Sequence, residues 1–217
     1  MSLPTPDGHS AAFPPLGSDL LGAGWYVCDE AGRRDPLRSD LERWCGEVDA
    51  VDLLLLSRAE GPVLDVGCGP GRLVAELARP GRSALGVDVA SAAVHLTTAA
   101  GGAAIRRSVF DPLPGEGRWG AVLLADGNVG IGGDPVVLLR RGRRLAQPGG
   151  RVLVELEAPG TGCATVRTRL ERKGEVTPWF DWAHVAVDAV AGPAALAGLR
   201  VQDIWHAGGR WFASLTR

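Results

Sequence analysis

Residues Gly61-Pro-Val-Leu-Asp-Val-Gly-Cys-Gly-Pro-Gly71 constrain this chain more than any other stretch. Val63 to Val66 is a short apolar run, of the kind that forms a fully buried parallel strand, and it ends at Gly67, Gly69 and Gly71. Arg72 to Arg79 follows at once, with Leu73, Val74 and Leu77 on one helical face. Strand, glycine-rich turn and helix in that order form the first crossover of a nucleotide-binding α/β sheet. Glycines here admit positive φ and let a ligand approach the main chain closely. The helix N-terminus then offers free N–H groups to a carboxylate or phosphate.

A dinucleotide-binding turn reads Gly-x-Gly-x-x-Gly, whereas this one reads Asp65-Val-Gly67-Cys-Gly69-Pro-Gly71, its final Gly one residue early. Asp65 stands inside the strand, where a buried negative charge repels a pyrophosphate and favours a cationic ligand. On these residues the chain resembles the class I S-adenosylmethionine-dependent methyltransferases, whose first motif is an acidic residue followed by x-Gly-x-Gly-x-Gly at the end of the first strand. The resemblance implies that Asp65, Gly67, Gly69 and Gly71 bind the methyl donor.

The companions follow in order. Ser83 to Ala90 reads as a second buried strand ending at Asp88, about 20 residues past the turn, where an acid accepts ribose hydroxyls of NAD and S-adenosylmethionine alike. Val89 adjoins it. Ala103 to Val109 reads as a third strand delivering Phe110-Asp111-Pro112. The resemblance implies that Asp111 receives the adenine amino group and Phe110 packs on the ring; the bland alternative is an Asp-Pro turn. Trp119 to Ala125 is a fourth strand, running into the polar loop Asp126-Gly-Asn128. Asp126 is a candidate for holding the donor's ammonium or acting as a base, and Asn128 for orienting donor or acceptor. A DNA-base substrate is disfavoured, because Gly127-Asn128-Val129 replaces the Pro-Pro-aromatic motif of amino-group DNA methyltransferases. Asp134 caps the next helix, and Pro148-Gly-Gly150 leads into a fifth strand, Arg151 to Glu157. The resemblance thus runs from 61 to 157.

The flanks are less specific. Leu41, Trp44, Val48, Val51, Leu54 and Leu55 recur at three or four residues, predicting an amphipathic helix from about Asp40 to Leu56 within an N-terminal lid segment, 20–57. Trp25 and Tyr26 either line an acceptor pocket or pack in the core. Residues 163–186 read as an inserted hairpin cap, whose Trp179, Phe180 and Trp182 either wall the acceptor site or form the hairpin's own core. His184 joins Asp126 as a candidate base. Residues 187–217 read as a helix and a terminal strand pair.

The expected fold is α/β: one domain over 20–217 with a doubly wound, mostly parallel seven-stranded sheet, helices on both faces and the last strand antiparallel. Residues 1–19 read as a flexible arm without signal-peptide character, and no apolar run reaches the ~20 residues that span a bilayer. A net charge of −2 gives the molecule no general attraction to nucleic acid or membrane. The basic run Arg140-Arg141-Gly-Arg143-Arg144 reads as a solvated helix face. The cysteines Cys28, Cys45, Cys68 and Cys163 lack zinc-ligand spacing, suit a reducing cytoplasm, and no metal is expected. The function expected is S-adenosylmethionine-dependent methylation of an O, N or C nucleophile on a small molecule. The alternatives are an NAD(P)-dependent oxidoreductase and a non-catalytic S-adenosylmethionine-binding protein.

Overall fold

Strands that read as unbroken apolar runs need a cover on both faces. In the computed structural model, which describes residues 24–37, 42–79 and 81–217, they have one. The central strands β3 (Val63–Val66) and β6 (Trp119–Leu124) are buried at every position. They lie beside β4 (Ala84–Asp88), β5 (Ala104–Arg106), β7 (Ala146–Leu156), β11 (Arg200–Ala207) and β12 (Arg210–Thr216) in a seven-stranded sheet of order β11-β12-β7-β6-β3-β4-β5. Five neighbouring strands, β3 to β7, run parallel, and β12 enters antiparallel to β7. The expected seven-stranded, mostly parallel sheet and its antiparallel last strand are as observed.

Helices α1 (Ala50–Ser57) and α2 (Arg72–Ala78) close one face through Leu55, Leu56, Leu73 and Leu77, which pack with Trp205 and Phe212. Helices α4 (Pro135–Leu145) and α5 (Ala191–Leu196) close the other with Leu138, Leu139, Leu145 and Ala194. Between α2 and α4 the chain forms α3 (Ser91–Ala99). Asp134 caps α4 as expected, its Oδ1 accepting the N–H groups of Val136 and Val137.

The N-terminal segment departs from expectation in two ways. The long helix from Asp40 is not formed: residues 42–44 make one helical turn, and α1 begins only at Ala50. The break falls at Gly46, and α1 restarts on a capping box in which Asp49 accepts the Asp52 N–H while the Asp52 carboxylate receives that of Asp49. Leu41 and the arm 1–19 lie outside the described residues.

The second departure concerns the hairpin. Strands β8 (Cys163–Arg172), β9 (Glu175–Val176) and β10 (Phe180–Val185) form as the insert predicts, but β8 also pairs with β1 (Tyr26–Asp29), which pairs with β2 (Arg34–Pro36). The result is a separate antiparallel sheet assembled from the N-terminal segment and the insert that follows β7. It docks at the carboxyl ends of β6 and β7, through bridges between Ile131 and Trp182 and between Glu157 and Ala186.

Candidate active site

The chain leaves β3 outward to β4 and β5, then returns to β6 on the opposite flank of β3. That reversal makes the carboxyl ends of β3 and β6 the topological switch point, the place where open α/β sheets bind ligands. Two loops meet there: the glycine turn after β3 and the loop 126–133 after β6.

The turn is built for close approach. Gly67, Gly69 and Gly71 all have positive φ, at 71°, 53° and 88°. A Cβ on Gly67 would lie 2.7 Å from Asn128 Nδ2, and one on Gly71 would strike Thr97, so both sites need glycine to pack. Gly69 differs: a Cβ there meets no atom within 4 Å. Its hydrogen side faces open space, which is the room a ligand needs. Asp88 fixes the same residue, Oδ2 accepting the Gly69 N–H at 3.0 Å and Oδ1 the Ala90 N–H at 2.8 Å. Burial pushes its carboxyl above the ordinary range, against the pull of those N–H groups. The cap position of α3 is Ala90, whose N–H is held by Asp88, and Ser91 is the first residue of the helix. Val89 is half-buried, and its carbonyl accepts from Arg106.

Asn128 braces the turn. Its Nδ2 donates to the carbonyls of Val66 at 2.9 Å and Gly67 at 3.0 Å, tying the post-β6 loop to the end of β3.

Asp65 and Asp126 share an electrostatic site that neither reveals in sequence. Asp126 has φ 54°, the one described non-glycine residue with positive φ. Both of its oxygens accept from Arg72 Nη2 at 2.7 Å, and its own N–H donates to Glu155 Oε2 at 2.7 Å. Arg43 and Arg210 stand 3.2 and 3.6 Å away, and Arg72 also pairs with Asp52 at 2.6 Å. Arg210, at the turn of the terminal strand pair, grips Glu155 with two hydrogen bonds and Asp52 with a third, each 2.8 Å. Burial raises the Asp126 carboxyl, while Arg72 above all draws it back. Both oxygens of Asp126 thus meet arginine, and the residue ties the post-β6 loop to α2 and to the terminal strand pair. Asp65, 3 % exposed, accepts no hydrogen bond from a described residue. Burial, reinforced by Asp126, pushes its carboxyl up to about 7. Asp52, Asp126 and Glu155 are paired with Arg43, Arg72 and Arg210, and Asp65 lies beside them.

Phe110 is half-buried, packed against the main core beside Gly132, and Asp111 is exposed. What holds them is Arg141, which sequence assigns to a solvated face. It is 4 % exposed, its Nε donating to the Val109 carbonyl at 2.7 Å and its Nη2 to the Asp111 carbonyl and Glu116 at 2.6 Å. Arg141 holds the Glu116 carboxyl down at about 2.

The aromatic candidates do not form one wall. Strand alternation sends successive side chains to opposite faces. Trp25, Phe180 and Trp182 belong to a small core with Leu37 and Leu170, Trp25 buried beneath Arg172. Tyr26 and Trp179 are stacked instead by Arg34 and Arg169, and Trp179 lines an open concavity of about 530 Å³ with Cys28 and Glu171. That concavity lies on the small sheet, away from the glycine turn. His184 is half-exposed, with Nδ1 3.0 Å from Glu157 Oε1. Glu157 carries no sequence motif, and only the return of β10 to the end of β7 brings it to His184.

The fold and the turn define a doubly wound α/β domain with its topological switch point between β3 and β6. A family model described as a methyltransferase domain matches residues 33–189, and the chain belongs to that methyltransferase family. No curated protein matches the chain. Among solved structures it is similar to an S-adenosylmethionine-dependent methyltransferase from Bacteroides fragilis in complex with S-adenosylhomocysteine, at 21% identity and TM-score 0.76, covering 93% of this chain and 94% of the other. It is also similar to the sugar N-methyltransferase KedS8 of a Streptoalloteichus species, at 18% identity and TM-score 0.59 over 83% and 90% of the chains. The 1,6-didemethyltoxoflavin-N1-methyltransferase of Burkholderia thailandensis is 17% identical with TM-score 0.56 over 82% and 83%. At these identities the likeness is one of fold. Among the described residues no helix is long and apolar enough to cross a membrane, and no three metal-ligating side chains converge.

Proposed function

We propose that the chain transfers a methyl group from S-adenosylmethionine to a small-molecule acceptor. The observation that carries this reading is Gly69, which has positive φ, open space where a side chain would stand, and an N–H tied to the acid that ends the next strand. The residues fit the donor. Asp88 retains lone pairs for ribose hydroxyls, and Phe110 and Asp111 stand on a loop pinned by Arg141. Asp65, buried within β3, suits the donor's cationic amino-acid end better than Asp126, whose charge is already paired with Arg72. A dinucleotide is disfavoured by the same buried acid and by the shortened glycine spacing.

Bound S-adenosylmethionine supplies an activated methyl group on a sulfonium, so the protein's task is alignment and exclusion of water. The small sheet, seated on the post-β6 loop through Trp182, Ala183 and Thr165, covers the carboxyl ends of the strands where the acceptor must enter. The four unpaired cysteines support a cytoplasmic setting. The net charge of −2 supports neither nucleic acid nor a membrane as partner.

Thermal unfolding tests this. A ligand that binds only the folded state raises the melting temperature by mass action. S-adenosylmethionine and S-adenosylhomocysteine are expected to raise it and NAD(P)H to leave it unchanged. A shift with NAD(P)H alone would replace the reading with its oxidoreductase alternative.

A further inference from the structure

The fold itself has no need of the pair His184 and Glu157. Their side chains are 44 % and 47 % exposed, and an ion pair so placed contributes ~0–1 kcal/mol to stability. Their position is more informative. Glu157 directly follows β7 and is held extended by its bridge to Ala186. Its side chain therefore falls on the same side as that of Glu155, roughly 7 Å further along the strand. Glu155 is the residue that receives the Asp126 N–H at the start of the post-β6 loop. His184 comes from β10, whose Trp182 and Ala183 press on Gly130 in the post-β6 loop. The imidazole thus stands just beyond the end of β7, on the strand by which the small sheet rests on the post-β6 loop.

The pair is also chemically directed. His184, and more weakly Arg33 from the β1–β2 turn, hold the Glu157 carboxyl below its ordinary range. A carboxylate facing Nδ1 fixes the neutral ring with its hydrogen on Nδ1 and its lone pair on Nε2.

Resting on the methyltransferase reading above, we propose that His184 is the general base of the transfer, that Glu157 is its positioning residue, and that the acceptor is a hydroxyl or N–H nucleophile. In that step the acceptor heteroatom forms a bond to the methyl carbon while the carbon–sulfur bond breaks and its electron pair stays on sulfur. The proton leaving the heteroatom passes to Nε2 of His184. A thioether or tertiary amine, with no proton to lose, has no use for the pair.

The test uses the full chain with ¹⁵N-labelled histidine and [methyl-¹³C]S-adenosylmethionine. Nuclear Overhauser contacts between the donor methyl and the His184 ring hydrogens are expected, together with ¹⁵N shifts of the Nδ1–H form. Glu157→Ala is expected to keep the contacts and the melting temperature while the ring reverts to a mixture of both neutral forms. Donor binding without contacts to His184 overturns the base assignment and leaves the methyltransferase reading standing. An unchanged ring form in Glu157→Ala removes Glu157 from its role. Failure of the donor to bind overturns the reading beneath. Turnover of a probe such as thioanisole at the rate of a phenol overturns the acceptor class.

Discussion

Arg72 and Asp126, 54 residues apart, are joined by two 2.7 Å hydrogen bonds from a single Nη2 to both carboxylate oxygens. One residue opens the helix after the glycine turn, the other begins the loop after β6, and the pair ties those two segments together. It also holds Asp126 at a φ of 54°, a left-handed conformation that Asp adopts more readily than most side-chain-bearing residues. The Arg72 side chain is 5% exposed. Removing one partner of a buried pair strands the others, so Arg72→Met is expected to cost about 3–5 kcal/mol in urea unfolding. A loss below about 1 kcal/mol contradicts the network's role.

Asp65 sets a pH dependence. Its carboxyl is raised from 3.8 to about 7 in the folded protein, chiefly by burial. Between those values the folded chain holds a proton that the unfolded chain has released, so this group's contribution to stability falls as pH rises from about 4 to 7 and stays low above it. Asp65→Asn abolishes the term. The variant is expected to match the wild type near pH 4 and to gain on it by up to a few kcal/mol at pH 8, while losing donor affinity. A stability difference independent of pH would exclude this account of Asp65.

Asn128 acts on the turn without belonging to it. Asn128→Ala deletes both hydrogen bonds to the carbonyls of Val66 and Gly67. The expected loss is roughly 1–3 kcal/mol of stability, and weaker S-adenosylhomocysteine binding because the glycine turn is no longer braced. Equal affinity in variant and wild type, measured by equilibrium dialysis, would make Asn128 a loop residue only.

Arg141 shows where sequence reading stops. Central strands, glycine turn, acids at strand ends and terminal pair were legible because each follows from local pattern: unbroken apolar runs, glycine at positive φ, Asp before a helix. The basic run 140–144 has the pattern of a solvated face, yet Arg141 is turned inward by carbonyls of a loop some thirty residues earlier, Val109 and Asp111. Arg210 escaped notice for the same reason: its partners, Glu155 and Asp52, come from a distant strand and helix. The pairing of Glu157 with His184 was hidden likewise, since it needs the return of β10. The small sheet was half legible, since β8 and β10 are a local hairpin but β1 reaches β8 only across the whole domain. The long N-terminal helix failed because periodicity carries across Gly46 while the capping box at Asp49 restarts the helix.

Arg141→Met accordingly is expected to unpin the loop of Phe110 and Asp111. Affinity for S-adenosylhomocysteine should fall while affinity for methionine alone, which lacks the adenine, should not. Parallel losses for both ligands would mean that Arg141 supports the whole domain and not this loop.

The most direct measurement is isothermal calorimetry of the wild type and of Gly69→Val against S-adenosylmethionine, S-adenosylhomocysteine and NAD(P)H. Gly69 is the point where the turn leaves open space for a ligand, and valine fills it at a φ of 53° that a branched residue resists. Saturable binding of both adenosyl ligands, weakened at least ~10-fold (about 1.4 kcal/mol) in the variant, is the predicted result. Binding of NAD(P)H in their place, or adenosyl binding untouched by Gly69→Val, would contradict it.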